Sequence, residues 1–428
     1  MDGGRLRGLL FELTGYPELR MSKPWWIQSA VLYETNTRAF SPGGNFQGVL
    51  DRLPELQELG VTVLWLMPVH CTGQTGRKGP LGSPYAARDF YSIDPAYGTA
   101  EDLRRLVDEA HKLDLRMILD VVPNHTSLDS VLFHEHPEWF RRGEDGRPLS
   151  SEPGWDDVVA LDYSQDAVRE YMSTALAYWL TEFEFDGLRC DIAHYVPTDF
   201  WKELRRRVGP DVFLLAESEQ PELLEAGFDA GYSWKLFHAV NHIFTDGMPA
   251  TRLREKWERQ RQAMPEGALL MRFTDNHDET RAIVRLGERA TLAASALMFL
   301  LDGIPLLYNG QEVGDTTESA PPALFDRVPI YWGNGDRRPE FLQFYRQLIH
   351  LRRAHSALQQ GEVIWTFNTD AARIVSFVRE GGNQEFLVAI NCSNRPFAGH
   401  LDGGNAPVSL GPYGVLVRER KWGKMLEI

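Results

Sequence analysis

Cysteine is scarce in this 428-residue chain: Cys71, Cys190 and Cys392 are an odd number, widely spaced and without a CxxC pair. That pattern excludes a disulfide framework and a cysteine zinc site, and it points to free thiols in a reducing compartment. Long hydrophobic runs are also missing, and the most apolar stretch, Leu292 to Leu301, is too short to span a bilayer. The opening MDGGRLRGLLFELTGYPEL has two arginines, but Glu12 cuts its apolar run short, so no signal peptide is expected. Basic residues are the minority, 45 Lys and Arg against 60 Asp and Glu, for a formal charge of −15. This disfavours nucleic acid or an anionic membrane as a partner and suits a neutral or cationic ligand. No glycine-rich phosphate loop, internal repeat or low-complexity tract occurs. The expectation is a soluble cytoplasmic protein with no nucleic-acid or membrane partner, and nothing here sets an oligomeric state.

Hydrophobic residues make up 43% and charged residues 25%, the balance of a globular protein long enough for one large domain and a small one. Strand-like runs alternate with helical patterns. The strands are VLYETNT (31–37), VTVLWLM (61–67), LRMILDVV (115–122), FEFDGLRC (183–190), VFLLAES (212–218), FDAGYS (228–233), ALLMRFT (268–274) and IPLLYNG (304–310). Helices are expected over 46–60, over 100–113 behind Thr99 as N-cap, over 164–183 with Ser164 as cap, over 289–301 and over 338–355. Eight alternations favour an α/β fold, a parallel sheet closed into a (β/α)₈ TIM barrel, over an open doubly wound sheet. The stretch after the third strand is too long for a simple crossover and reads as a short insert over 126–163, an ordered lid carrying Phe133, Trp139, Phe140 and Trp155. Beyond residue 357, short β runs broken by Gly, Asn and Asp predict a C-terminal antiparallel β-sandwich over 358–428. The barrel is then assigned 28–357, with an N-terminal extension over 1–27.

Chemistry in such a barrel gathers at the C-terminal ends of the strands. Strand three runs into DVVPNH with Asp120, Asn124 and His125; strand four into GLRCD with Arg189 and Asp191; strand five into FLLAES with Glu217; strand seven into FTDNHDE with His277 and Asp278. Each alone admits a structural role: an Arg189–Asp191 ion pair, a helix cap at His125, Asn276 or Asp278, a surface acid at Glu217. Together they set several mutually repelling carboxylates around one mouth, from which structure alone gains little. Two carboxylates flanking a bond are what glycoside hydrolysis needs, one ionised to attack and one protonated to release the leaving oxygen. Arg189, two residues from Asp191 and so on the same strand face, should lower the Asp191 pKa; the apolar run before Glu217 should raise its pKa.

DVVPNH, GLRCD, the glutamate of FLLAES and FTDNHD, in this order and spacing, resemble the four signature regions of the α-amylase family of glycoside hydrolases. GSPYAARDFYSIDPAYGT (82–99), GIPLLYNGQE (303–312) and DRVPIYW (326–332) are similar to further family segments, so the resemblance runs from about residue 25 to 428. It implies a retaining hydrolase of α-1,4 bonds in maltooligosaccharides or soluble starch. Asp191 would be nucleophile, Glu217 general acid/base and Asp278 the third carboxylate. Tyr85, His125, Arg189 and His277 would line the sugar-binding subsite, with His194 and Arg327 as further substrate-binding residues. No cofactor is required by the resemblance. Asn124 matches a calcium-binding asparagine of many members, but His194 and Tyr195 stand where those members carry lysine and histidine, the insert is short, and calcium is disfavoured. Ala86 replaces an acidic residue found after the tyrosine in some members, which bears on specificity. A transglycosylase or isomerase of the same family is the alternative reading. A non-catalytic binding subunit is a lesser one, because all three acids and both histidines are present.

Overall fold

The computed structural model describes residues 23–404, 406–420 and 425–426. The N-terminal segment read for a leader, and the expected extension as far as residue 22, lie outside the described residues.

Eight parallel strands close into a barrel: β1 (Leu32–Thr35), β2 (Val63–Leu66), β3 (Arg116–Val121), β4 (Gly187–Cys190), β5 (Phe213–Ala216), β6 (Ala230–Tyr232), β7 (Leu269–Arg272) and β8 (Ile304–Tyr308), with β1 hydrogen-bonded to both β2 and β8. All eight fall inside the runs expected from sequence. Their nearly continuous apolar character follows from burial on both faces. Alternate residues divide between two cores. Leu32, Val63, Trp65, Ile118, Phe213, Leu215, Tyr232, Met271, Ile304 and Leu306 fill the barrel interior. Tyr33, Leu64, Leu66, Met117, Leu119, Leu188, Cys190, Leu214 and Leu307 join the larger core shared with the surrounding helices. The interior parity also carries Glu34, Asp120 and Arg189, and their side chains form the polar layer above the apolar one. Asp120 and Arg189 are register partners between β3 and β4.

The five expected helices form, two of them with altered starts or breaks, and Thr198–Val208, Trp234–Thr245 and Thr251–Ala263 are further helices outside the expected set. The expected 46–60 helix is two, Phe46–Leu50 and Leu53–Leu59, because a new first turn starts with Pro54, which cannot donate to a continuing helix. The helix Asp166–Glu182 starts after Gln165, while Ser164 Oγ donates instead to Asp162 Oδ1 at 2.7 Å, so Ser164 is not its cap. Thr99 does cap Ala100–Lys112, in a reciprocal box with Asp102.

Between β3 and β4 the chain makes a two-stranded ribbon, His125–Ser127 against Val158–Ala160, and the helix Val131–Glu135. Phe133 and Phe140 pack edge-to-face there, with ring centres 4.9 Å apart. Beyond the barrel, Glu362–Trp365, Ile374–Gly381, Gln384–Asn391, Val415–Glu419 and Met425–Leu426 form a five-stranded antiparallel sheet, accompanied by the ribbon Phe397–Gly399 with Val408–Leu410. Ile374, Val378, Leu387, Phe397, Leu401, Leu410 and Leu416 fill the space between sheet and ribbon. The sheet's other face, with Phe377, Phe386, Val388 and Ile390, packs on the barrel's outer core. Buried Arg352 and Arg379 fasten that junction by donating to the Phe299, Leu300 and Leu301 carbonyls at the end of helix Glu288–Leu300. No described helix is long and apolar enough to cross a membrane.

Candidate active site

Arg189 is the centre of the polar layer and is fully buried. Its Nη1 lies 2.9 Å from both Asp120 Oδ1 and Asp191 Oδ1, and its Nε donates to the Tyr232 hydroxyl at 3.1 Å. Its Nη2 lies 2.9 Å from Glu217 Oε2, a charge contact whose angle falls outside hydrogen-bond geometry. The rings of Trp65, Tyr85 and Tyr232 stand 5.1, 5.6 and 5.6 Å from the guanidinium carbon and exclude water around it. One cation thus serves three carboxylates from three successive strand ends.

That ratio sets the proton affinities. Burial is the largest influence on each carboxyl, and it pushes Asp120 and Asp191 up to about 6 and Glu217 up to about 7, with Arg189 opposing. The expectation that Arg189 holds Asp191 low is therefore corrected. The guanidinium does lower it, but one charge divided among three partners does not offset full desolvation. Asp191 and Asp278 add to the Glu217 rise.

Glu217 is aimed by the backbone of its neighbour strand. Its Oε2 accepts from the Ile192 amide at 2.8 Å. Ile192 has φ 35° and ψ 48°, a left-handed conformation that a β-branched residue adopts only at a cost on the order of 1–3 kcal/mol. This bend after β4 turns the Ile192 N–H toward Glu217 while Asp191 stays on Arg189.

Tyr85, His277 and Asp278 form the opposite wall. The Tyr85 hydroxyl is 2.9 Å from Asp120 Oδ2 and 2.7 Å from His277 Nε2, and the two rings stack with centres 5.2 Å apart. His277 Nε2 is also 3.3 Å from Asp278 Oδ2, and its Nδ1 is 2.5 Å from Glu34 Oε1. Burial lowers the His277 pKa, but the Asp278 and Glu34 carboxylates outweigh it and lift it to about 9. Asp278 is exposed toward the solvent side. Glu34 escaped the sequence reading, although the period of two that pairs it with inward-facing Leu32 was visible in LYET.

His125 is neutral in this setting, since burial pulls it down to about 4. Its Nε2 lies 3.1 Å from the Tyr85 carbonyl, which can only accept, so that nitrogen carries the proton. Its Nδ1 faces the Asn124 amide at 3.3 Å. Both nitrogens are thus engaged by protein, and His125 borders the cavity beside Trp155, whose ring centre is 5.6 Å away. Asn124 Nδ2 also donates to Ser151 Oγ. The residues around Asn124 do not fit a calcium ion. The Asn124 amide nitrogen is taken up by the Ser151 hydroxyl and the His125 ring, and the insert carboxylate Asp157 is held at 2.9 Å by the Lys78 ammonium. No group of three or more His, Cys, Asp or Glu is gathered for a metal among the described residues.

A cavity of about 180 Å³ opens over these groups. Asp191, Glu217, His277 and Asp278 reach into it, Lys78 and Tyr85 come from the segment after β2, Trp155 and Asp157 from the insert, and Leu324 and Phe325 from the segment after β8. The Leu81 amide donates to the Phe325 carbonyl at 2.9 Å and ties two of these walls. The volume is below the roughly 300–1,000 Å³ of pockets for drug-sized ligands and suits one sugar ring. His194 lies outside the cavity lining, exposed on the turn Ala193–Tyr195 with its ring 4.5 Å from that of Tyr195. Arg327 lies outside it too, exposed and packed near Gly44, where an added Cβ would come within 2.9 Å of its Nε. A larger cavity of about 530 Å³ lies at the opposite end of the barrel, but its polar groups satisfy one another, as in Trp257–Asp302 at 2.7 Å and Arg272–Asp302 at 2.9 Å.

This set of strand-end acids around one arginine is that of a carbohydrate-processing barrel, and the comparisons agree. Residues 26–145 and 237–335 match the family model "Alpha amylase, catalytic domain". The matched segments include His125, His277 and Asp278 but not Asp191 or Glu217. Alpha-amylase 2 of Dictyoglomus thermophilum is 27% identical over 420 residues, covering 89% of this chain and 72% of that protein. A cyclomaltodextrinase of Geobacillus thermopakistaniensis is 27% identical over 399 residues, covering 87% of this chain and 65% of that protein. The crystal structure of a maltogenic α-amylase from Thermotoga neapolitana superposes with a TM-score of 0.83 at 31% identity, covering 93% of this chain and 98% of that one. The chain belongs to the α-amylase family of glycoside hydrolases.

Proposed function

We propose that the protein is a retaining hydrolase of α-1,4-glucosidic bonds in maltooligosaccharides or soluble starch. The observation that carries this reading is the sharing of Arg189 between Asp191 and Glu217, each 2.9 Å from the guanidinium, with burial and the neighbouring carboxylates lifting Glu217. Asp191 attacks the anomeric carbon as a carboxylate. Glu217 gives its proton to the leaving oxygen and takes one back from the water that releases the sugar. Asp191 and Glu217 each stand 2.9 Å from one guanidinium, which favours the close carboxylate spacing of a retaining enzyme over the wider gap that holds a water in an inverting one. Asp278, at the solvent side, grips ring hydroxyls, and Tyr85 provides a flat face for the sugar. His194, on the rim just beyond Asp191, belongs to the acceptor side.

The reading extends to compartment and partners. Buried Cys190 and Cys392 and partly buried Cys71 are free thiols, which suits a reducing cytoplasm supplied with short, imported glucans. The family alternative, glycosyl transfer, uses the same covalent intermediate and differs in whether water or sugar attacks it. A timed product profile on maltoheptaose, with and without added glucose, tests both. Shorter maltooligosaccharides alone support hydrolysis; products longer than the substrate would replace it with transfer, and no products would remove both.

A further inference from the structure

We propose that Glu34 is a positioning residue that fixes His277 as a hydrogen-bond donor on the substrate side of the pocket. This rests on the hydrolase reading above. The argument is one of counting protons. Tyr85 has one hydroxyl proton, and its oxygen lies 2.9 Å from Asp120 Oδ2 and 2.7 Å from His277 Nε2. An ionised Asp120 can only accept, so the Tyr85 proton goes to Asp120. The Tyr85 oxygen must then accept from His277, and Nε2 carries a proton. On the other side of the ring, Nδ1 stands 2.5 Å from Glu34 Oε1, a separation that places a proton between them. Wherever along that short bond the proton lies, Nε2 keeps its own. Without a carboxylate at position 34, only the Tyr85 contact would hold that proton on Nε2, and once substrate displaced Tyr85 the neutral ring could carry its proton on Nδ1 and present Nε2 as an acceptor.

The setting makes Glu34 specific to this task. It projects from β1 into the barrel interior with no exposed surface, and its second oxygen has no hydrogen-bond partner. Every charged group around His277 is accounted for: Glu34 from β1, Asp120 from β3 and Asp278 on its own segment favour the proton, while Arg189 from β4 opposes it. Tyr85 and the edge-on ring of Trp65, 6.0 Å away, complete the enclosure. A ring fixed in this way offers Nε2–H to a sugar hydroxyl when substrate displaces the contact to Tyr85 or Asp278. It also keeps positive charge beside three carboxylates.

The test uses α-maltosyl fluoride, whose fluoride leaves without a proton from Glu217, so that the alkaline limb of kcat/KM no longer reports that residue. For the wild type the limb is expected near pH 9, where His277 gives up its charge. Glu34→Gln should move the limb to lower pH, with Asp278 still holding part of the rise, and Glu34→Asp should restore part of the shift. A Glu34→Gln limb that coincides with the wild type, even at a uniformly lower rate, overturns the proposal and leaves Glu34 a structural residue. Histidine ¹⁵N spectra of the wild type and of Glu34→Gln read the same ring without turnover. A proton on Nε2 in the wild type that shifts toward Nδ1, or a ring that loses its charge at lower pH, in Glu34→Gln supports the proposal, and a ring whose state is the same in both proteins overturns it. Absence of fluoride release by the wild type would count against the hydrolase reading, while the spectra would still decide the role of Glu34.

Discussion

Glu217→Gln separates the two carboxyls of the proposed mechanism. With Asp191 near 6 and Glu217 near 7, the productive form has Asp191 ionised and Glu217 protonated. The two carboxyls share Arg189 and titrate as a pair, so that form is most populated between the two ionisations and falls away on either side. The wild-type kcat/KM on maltoheptaose should therefore trace a bell whose two limbs belong to the pair. Glutamine cannot donate the proton, so the variant should lose about a hundred- to ten-thousandfold on maltoheptaose. On α-maltosyl fluoride the first step needs no acid and should be far less affected. The limb near pH 7 should vanish, leaving the His277 ionisation near 9 as the next alkaline limb. Initial rates by chromatography and by a fluoride electrode provide both profiles. An unchanged limb near pH 7, or equal losses on the two substrates, would refute the assignment of Glu217.

Other consequences follow from the same structure. Because burial raises the folded-state pKa of Glu217 above its unfolded value, its contribution to stability is full below about pH 4.3 and is lost as pH rises through about 7. Glu217→Gln, neutral throughout, should accordingly exceed the wild type in stability at pH 8, by up to ~3 kcal/mol, and show no such gain at pH 4; calorimetry at the two pH values reads the difference. Lys78→Met leaves the buried Asp157 carboxylate unpaired and should cost about 1–2 kcal/mol, discounted for the part-exposed lysine, with faster proteolysis of the insert. A chelator should not change the wild-type melting temperature, since the donors around Asn124 do not fit calcium; a calcium-dependent rise would contradict that. Gly187→Ala puts a Cβ 2.3 Å from the Phe213 carbonyl on the adjacent strand and should destabilise by about 3 kcal/mol or more, read by denaturant unfolding.

The barrel was legible because each strand is a short apolar run between turn residues, and the helices between them are amphipathic. What sequence could not resolve was local. Pro54 divides one helix into two, and Ser164 spends its hydroxyl on Asp162 rather than on a helix end. The strand-end acids were equally legible, since a period of two put Arg189 and Asp191 on one face. Their proton affinities were not, because the sign depends on a competition: the pairing of Asp191 with Arg189 is visible in GLRCD, but the two further claims on that guanidinium, from Asp120 and Glu217, come from other strands. Arg327, expected from its motif to bind substrate, lies outside the cavity lining and packs near Gly44. Glu34 was missed for the opposite reason, as a lone glutamate in a strand whose partner, His277, lies 243 residues away in sequence.

The most direct test of the account is to look for the covalent intermediate itself. A slow-turnover 5-fluoro α-maltosyl fluoride should lose its anomeric fluoride and add one 5-fluoromaltosyl mass to the protein, and peptide mapping should find it on the carboxylate of Asp191. Asp191→Asn should take up no label. An adduct on another residue, undiminished labelling of Asp191→Asn, or turnover of the fluoride with inverted anomeric configuration would contradict the proposed mechanism.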